Sequence, residues 1–138
     1  MIDPVAIIRA VLANPAGVLF ALVGDNIREA PVVFDKDSKA VVFHCVGGLN
    51  DLYVPVHQVS IYCRCYGGSR DPADSMAVYR AAYDVWHCGG GDSNEMQSTS
   101  YGMFGSGEMG APTLVPEDPD TKYPYVFAEA TCILRAKS

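Results

Sequence analysis

The chain has 138 residues, a net charge of −6, 49% hydrophobic residues and 19% charged residues. That length buries a core without disulfide or metal staples, the composition is that of a folded globular chain, and the acidity argues against a surface built to hold phosphate backbones. Met1-Ile2-Asp3-Pro4 carries no basic n-region and the apolar runs fall short of the ~20 residues that span a bilayer, so a soluble, unexported chain with no membrane partner is expected.

Asp3 can cap and Pro4 can open a helix whose apolar face is Val5, Ile8, Val11 and Leu12. It is predicted to end at Asn14-Pro15, where the residue before proline is pushed out of the α region. A shorter helix follows, opened by Asn14-Pro15, carrying Val18, Leu19 and Leu22, and stopped by Gly24. Asp25 to Ala30 reads as a polar connection. Pro31-Val32-Val33-Phe34 and Ala40 to Val46 are β-branched runs either side of Asp35-Lys36-Asp37-Ser38-Lys39, the pattern of a hairpin. Gly47-Gly48 and Asn50-Asp51 then break the chain, and Pro55, which lacks a ladder donor, limits Leu52 to Val56 to an edge strand or a loop.

The most informative stretch is Gln58 to Cys88, a strand-turn-helix unit. Side chains alternate along a strand, so Val59, Ile61, Cys63 and Cys65 share the predicted buried face while Ser60, Tyr62, Arg64 and Tyr66 share the other. After Gly67-Gly68, Asp71 stands at an N-cap position, Pro72 suits the first helical position and Asp74 adds an acid to the positive first turn. Val78, Tyr79, Ala82, Tyr83 and Trp86 recur on one helical face, which is assigned to packing, with Arg80 and Asp84 as an i,i+4 pair elsewhere. Gly89-Gly90-Gly91 ends the helix.

Gly89 to Gly110 is rich in Gly, Ser and Asn and reads as a flexible, functional loop, with Thr99 to Phe104 as the one candidate short strand within it. Pro112 to Asp120 has too many prolines for an interior element and is predicted as a surface connection with solvated acids. Tyr125 to Ala136 alternates again, with Val126, Ala128, Ala130, Cys132 and Leu134 on one face and Tyr125, Glu129, Thr131 and Arg135 on the other, as in a long antiparallel strand half-covered by a core. Runs of strands with helices set apart indicate a single α+β domain, a mostly antiparallel sheet with helices packed on one face.

Chemistry finds little support in these residues. His44-Cys45, Cys63-x-Cys65 and His87-Cys88 offer soft ligands, but structural zinc sites use C-x₂₋₄-C pairs in turns, and here a C-x-C lies inside a strand. The five cysteines read as reduced core thiols of a cytosolic setting. Gly105-Ser106-Gly107-Glu108-Met109-Gly110 matches G-x-G-x-x-G, yet Pro112 and Pro116 deny it the helix whose N-terminus would hold a phosphate. His44, His57 and His87 near cysteines define no base-to-nucleophile geometry. Neither a catalytic residue, a metal nor a cofactor is expected.

The order of parts resembles the tail terminator, or tail completion, proteins of long-tailed bacteriophages. The residues that carry the resemblance are the N-terminal helix leading to Leu22-Val23-Gly24-Asp25, the strand Val59 to Gly67 and the helix Ala73 to Trp86. It continues through Gly110-Ala111-Pro112, Pro116 to Thr121 and Tyr123-Pro124-Tyr125-Val126, with Tyr123-Pro124 where the family often has Trp-Pro and nothing matched in residues 89 to 104. The resemblance implies a non-enzymatic α+β subunit, assembled in the host cytoplasm and carried in the virion. It would form a homo-oligomeric, hexameric ring on the end of the tail tube, contact the tail tube protein and the head-neck connector, and let DNA pass through its lumen. The expected interface is the second face of the central strand, Tyr62, Arg64 and Tyr66, with the loop's Met96, Tyr101, Met103 and Phe104. Competing readings are another neck ring protein, a stopper or adaptor, and a small metal-binding or thiol enzyme built on Cys63, Cys65, His44 and His87.

Overall fold

The computed structural model describes residues 4–13, 17–24, 26–29, 37–50, 56–88, 97–99, 102–119 and 121–135. Three helices, α1 (Pro4–Leu12), α2 (Val18–Val23) and α3 (Pro72–Cys88), accompany seven strands: β1 (Ile27–Glu29), β2 (Ala40–Asn50), β3 (Val56–Tyr66), β4 (Gln97–Thr99), β5 (Gly102–Met109), β6 (Thr113–Val115) and β7 (Tyr125–Arg135). The strands form one sheet in the order β1-β2-β3-β7-β5-β4, with β6 also paired to β7. Every pairing is antiparallel except that of β1 with β2. This is the α+β architecture expected from the sequence.

β3 and β7 pair along their whole lengths, from Val56↔Arg135 to Tyr66↔Tyr125, and their alternating patterns meet in phase. Val59, Ile61, Cys63 and Cys65 on β3 therefore lie on the same buried face as Val126, Ala128, Ala130, Cys132 and Leu134 on β7. The helices supply the other half of that core: Ile7, Ile8, Val11 and Leu12 from α1, Leu19 and Val23 from α2, and Val78, Ala82, Val85 and Trp86 from α3. Burial of large apolar side chains on both layers, at roughly 1.5–3 kcal/mol each, is what holds the layers together.

The turn from β3 into α3 depends on close backbone approach. A Cβ on Gly67 would stand 2.6 Å from the Asp74 carbonyl carbon, and Gly68 adopts φ +74° against the Asp37–Ser38 backbone, so larger residues are excluded at both. Asp71 then caps α3 as expected, its carboxylate accepting the Ala73 N–H at 3.0 Å. Asp74 accepts the Ser69 hydroxyl at 2.5 Å. The buried Ser75 hydroxyl donates to the Pro124 carbonyl at 3.1 Å, which ties the start of α3 to the entry of β7.

Several expectations are corrected. Ile27–Glu29, read as a polar connection, is a short strand parallel to β2, with Ile27 buried as its anchor. Gly47-Gly48 does not stop β2; a register shift between Cys45 and Gly47 absorbs one residue and pairing continues to Asn50↔His57, as a β-bulge allows. The largest correction concerns the segment read as a loop. Gly102–Met109 is a strand bound to β7 from Met103↔Arg135 to Met109↔Ala130, and Gln97–Thr99 pairs onto it. Its glycines have low β propensity, but β7 offers a preformed ladder, and pairing context overrides local preference. Thr113–Val115 likewise adds to β7 within the predicted proline-rich connection. On α3, Tyr83 leaves the packing stripe and is 40% exposed, and Val85 is buried instead. The first arm of the predicted hairpin (31–34), residues 51–55 and the loop portion at 89–96 lie outside the described residues.

Candidate functional site

The helices cover one face of the sheet, so the candidate surface is the other. The register arranges its side chains in cross-strand rows: His44, Tyr62 and Glu129; Val42, Arg64, Phe127 and Thr113; Ala40, Tyr66, Tyr125 and Val115. Side chains directly opposite in such rows are in contact distance. One end of this face is closed. Ala40, Val42 and Tyr66 form a small buried cluster with Tyr125 against it, and the Tyr66 and Tyr125 rings stack with centroids 5.2 Å apart.

Asp118 closes that end. Although predicted to be solvated, it is only 5% exposed. Its carboxylate accepts the Tyr66 hydroxyl at 3.1 Å and the Thr121 N–H at 3.1 Å. Its backbone N–H donates to the Tyr123 carbonyl at 2.9 Å and its carbonyl accepts the Lys122 N–H at 2.8 Å, with Lys122 at φ +65°. Tyr123 in turn donates its hydroxyl to Asp37 at 2.8 Å. The turn is a plug, and burial holds the Tyr66 hydroxyl well above the usual phenol range, with Arg64 opposing the shift and Asp118 adding to it. Tyr66, expected at the interface, is 4% exposed and belongs to this plug.

The other end is open. Tyr62 is 40% exposed and packs obliquely on Phe127, ring centroids 5.3 Å apart, and the apolar side chains of Val46 at the β2 bulge and Ile133 on β7 are also exposed. Arg64 is half-buried between the open and closed ends, and His44 and Glu129 flank Tyr62. The result is an aromatic and apolar patch with a cation and an anion beside it, a composition characteristic of protein–protein interfaces. Tyr62 and Arg64 stand where the alternation puts them. Phe127 and Ile133 were missed, although the alternation that assigned Tyr125 and Glu129 to this face assigns them there too. Met96 and Tyr101 lie outside the described residues; Met103 and Phe104 are described only as backbone, in β5 beside β7.

The thiol and histidine constellation is not assembled. Cys63 and Cys65 are buried under the helices with their sulfurs 3.9 Å apart. His44 is on the opposite face of the sheet, paired with Tyr62. His87 sits near the end of α3 and accepts the Met109 N–H. No three His, Cys, Asp or Glu side chains among the described residues are grouped to hold a metal ion. Hydrogen bonding with Cys63, then burial, raises the Cys65 thiol well above its usual value, and burial followed by the influence of Cys45 pushes Cys132 up to about 12. Such thiols are protonated and poor nucleophiles. The G-x-G-x-x-G match falls in β5 and its exit, and the described elements that follow it are the strands β6 and β7.

The helical layer exposes a second apolar patch. All six residues of α2 are apolar; Leu19 and Val23 are buried, whereas Val18 and Leu22, one turn apart, are exposed at 53% and 38%. Among the described residues no helix is long and apolar enough to cross a membrane.

No family model matches the sequence, and no curated protein sequence matches it. Among solved structures, the chain is similar to a chain of the virion of a native gene transfer agent particle, with a TM-score of 0.61. The likeness covers 95% of this chain and 93% of that one at 15% identity. At that identity the two share a fold, and a shared fold is not by itself shared chemistry.

Proposed function

We propose that the chain is a structural protein of a phage-type virion, a tail terminator that closes into a hexameric ring on the end of a tail tube, stops tube polymerisation and joins the tail to the head-neck. The observation that carries this reading is the fold shared, almost end to end, with a chain of a gene transfer agent virion. Two features of the surface support it. The open sheet face around Tyr62, Phe127 and Ile133 and the α2 patch of Val18 and Leu22 are different surfaces on different layers. A cyclic ring joins unlike surfaces head to tail and buries both, whereas a two-fold dimer pairs one surface with itself. In this reading Arg64 and Tyr62 lie at the subunit or tube contact, DNA only passes through the lumen of the acidic ring, and the protein works without a cofactor.

The test is assembly. The purified chain is added to polymerising tail tube protein, and tube length and end structure are read by electron microscopy. Rings on tube ends with tubes of limited length are expected. Binding to a portal-side neck ring instead of the tube end would reassign the chain as a stopper or adaptor, and failure to bind either would refute the reading.

A further inference from the structure

Where β5 leaves its ladder, α3 takes hold of three consecutive residues by their backbone. Trp86 Nε1 donates to the Glu108 carbonyl at 3.2 Å, His87 Nε2 accepts the Met109 N–H at 3.2 Å, and the Tyr79 hydroxyl donates to the Gly110 carbonyl at 2.7 Å. β4 covers the outer edge of β5 only from Gly102 to Phe104, so the Met109 N–H lies on a stretch of edge with no strand beside it among the described residues. An unpaired edge donor of this kind needs a partner, and the imidazole is that partner.

The two ring nitrogens have different duties. Met109 presents an N–H, so Nε2 must be the unprotonated acceptor. Nδ1 lies 3.0 Å from the Tyr83 carbonyl, which can only accept, so Nδ1 carries the proton. The ring is further held against Tyr83, centroids 3.9 Å apart. One protonation state and one tautomer therefore satisfy all three contacts. Of the two donors and one acceptor that α3 sends to β5, the histidine alone reverses its role when it gains a proton, and imidazole is the side chain that changes charge between pH 5 and 8.

We propose that His87 is a pH-dependent latch on the outer edge of β5, in which the neutral imidazole holds the Met109 N–H and protonation releases it. A proton from solvent takes the Nε2 lone pair that had accepted the Met109 hydrogen bond; Nε2–H then faces Met109 N–H, two donors with no acceptor between them, and the contact opens. Cys88 adjoins His87 in sequence, Tyr83 and Asp84 precede it by one turn of α3, and Tyr83 lies against the ring. Glu108 on β5 and Glu129 on β7 are exposed, on the sheet face opposite buried Met109 and Ala130, and Cys132 on β7 is buried as the thiol. Among these described residues no carboxylate faces the ring from the strand that it holds.

The test is amide hydrogen exchange of Met109 at pH 8 and pH 5.5, corrected for the intrinsic pH dependence of exchange, with the Gly110 N–H, bonded to the Glu129 carbonyl at 2.7 Å, as internal control. Protection of Met109 is expected to fall on the order of tenfold at the lower pH, the scale of one hydrogen bond, while Gly110 is unchanged. In His87→Gln, whose amide oxygen accepts without titrating, Met109 protection should be the same at both pH values. In His87→Ala it should be low at both. Nitrogen-15 spectra of the wild-type imidazole at pH 8 should show the proton on Nδ1. Equal corrected protection of wild-type Met109 at both pH values, or an imidazole protonated on Nε2 at pH 8, would overturn the latch.

Discussion

Trp86→Ala tests whether α3 seals the core. The indole is the largest fully buried side chain and the only tryptophan of the chain. Its Nε1–H is shared between the Glu108 carbonyl at 3.2 Å and the Thr131 carbonyl at 3.1 Å, so it bridges β5 and β7 at the row where they pair. Truncating a buried tryptophan to alanine costs about 3–5 kcal/mol in lost transfer energy and cavity. The upper end applies here, because the indole donor shared by two strand carbonyls disappears as well. Against a total stability of about 5–15 kcal/mol for a domain, that leaves the variant marginal or unfolded at 25 °C. Trp86→Phe separates the two contributions: it keeps most of the apolar volume and removes the donor, and its cost should be roughly 1–3 kcal/mol. Urea unfolding followed by far-ultraviolet circular dichroism measures both, since tryptophan fluorescence is absent from the variants. A Trp86→Ala midpoint corresponding to less than about 1 kcal/mol of destabilisation would show that α3 is not the seal, because so small a change is typical of exposed sites. Equal losses for the two variants would show that the hydrogen bonds, and not the packed volume, dominate.

Asp118→Ala should cost about 1–3 kcal/mol, since it leaves the buried Tyr66 hydroxyl and the Thr121 N–H without the acceptor that now binds both. The Tyr66→Phe, Asp118→Ala double mutant should lose less than the sum of the singles in a denaturation cycle, and additive losses would refute the plug. Stability should fall on the alkaline side. Cys132 and Tyr66 both have folded-state values raised above their unfolded ones, so the stabilisation is complete below the unfolded values and is lost as pH rises through the folded ones. For Cys132 that window opens near 9 and closes near 12, and Cys132→Ala should flatten part of the decline in denaturation curves taken under reducing conditions. Single Cys→Ser or Cys→Ala changes at Cys63, Cys65 and Cys132 should cost on the order of 1–3 kcal/mol. Elemental analysis of protein purified without added metal should find no stoichiometric zinc, and finding it would revive the metal-binding alternative. Tyr62→Glu combined with Ile133→Glu should leave the melting temperature within a few degrees of wild type, since both sites are exposed, yet abolish ring formation on tube ends. Normal capping by that variant would exclude the open sheet face from the contact. Deleting residues 93–103 would remove β4 and the start of β5 and so would test the sheet, not a loop.

Local rules determined the elements whose own residues pack. In α1 and β7, and at the β3–α3 unit, apolar spacing, the Asp71 cap and the paired glycines specify the element and its buried face, because each signal is satisfied within a few residues of itself. The same alternation placed Tyr62 and Arg64 on the outer face. What lay beyond the sequence were the features fixed by a partner distant in the chain. β5 is a strand because β7, more than twenty residues later, presents an unfilled ladder, and no count of its glycines reveals that. Tyr66 and Asp118 are buried because residues 52 positions apart meet across the end of the sheet. The acceptor role of His87 exists only where α3 passes the outer edge of β5. Tertiary structure alone decided which half of the outer face is plugged and which is open, since that depends on where one turn of the chain folds back over a sheet that the turn itself does not encode.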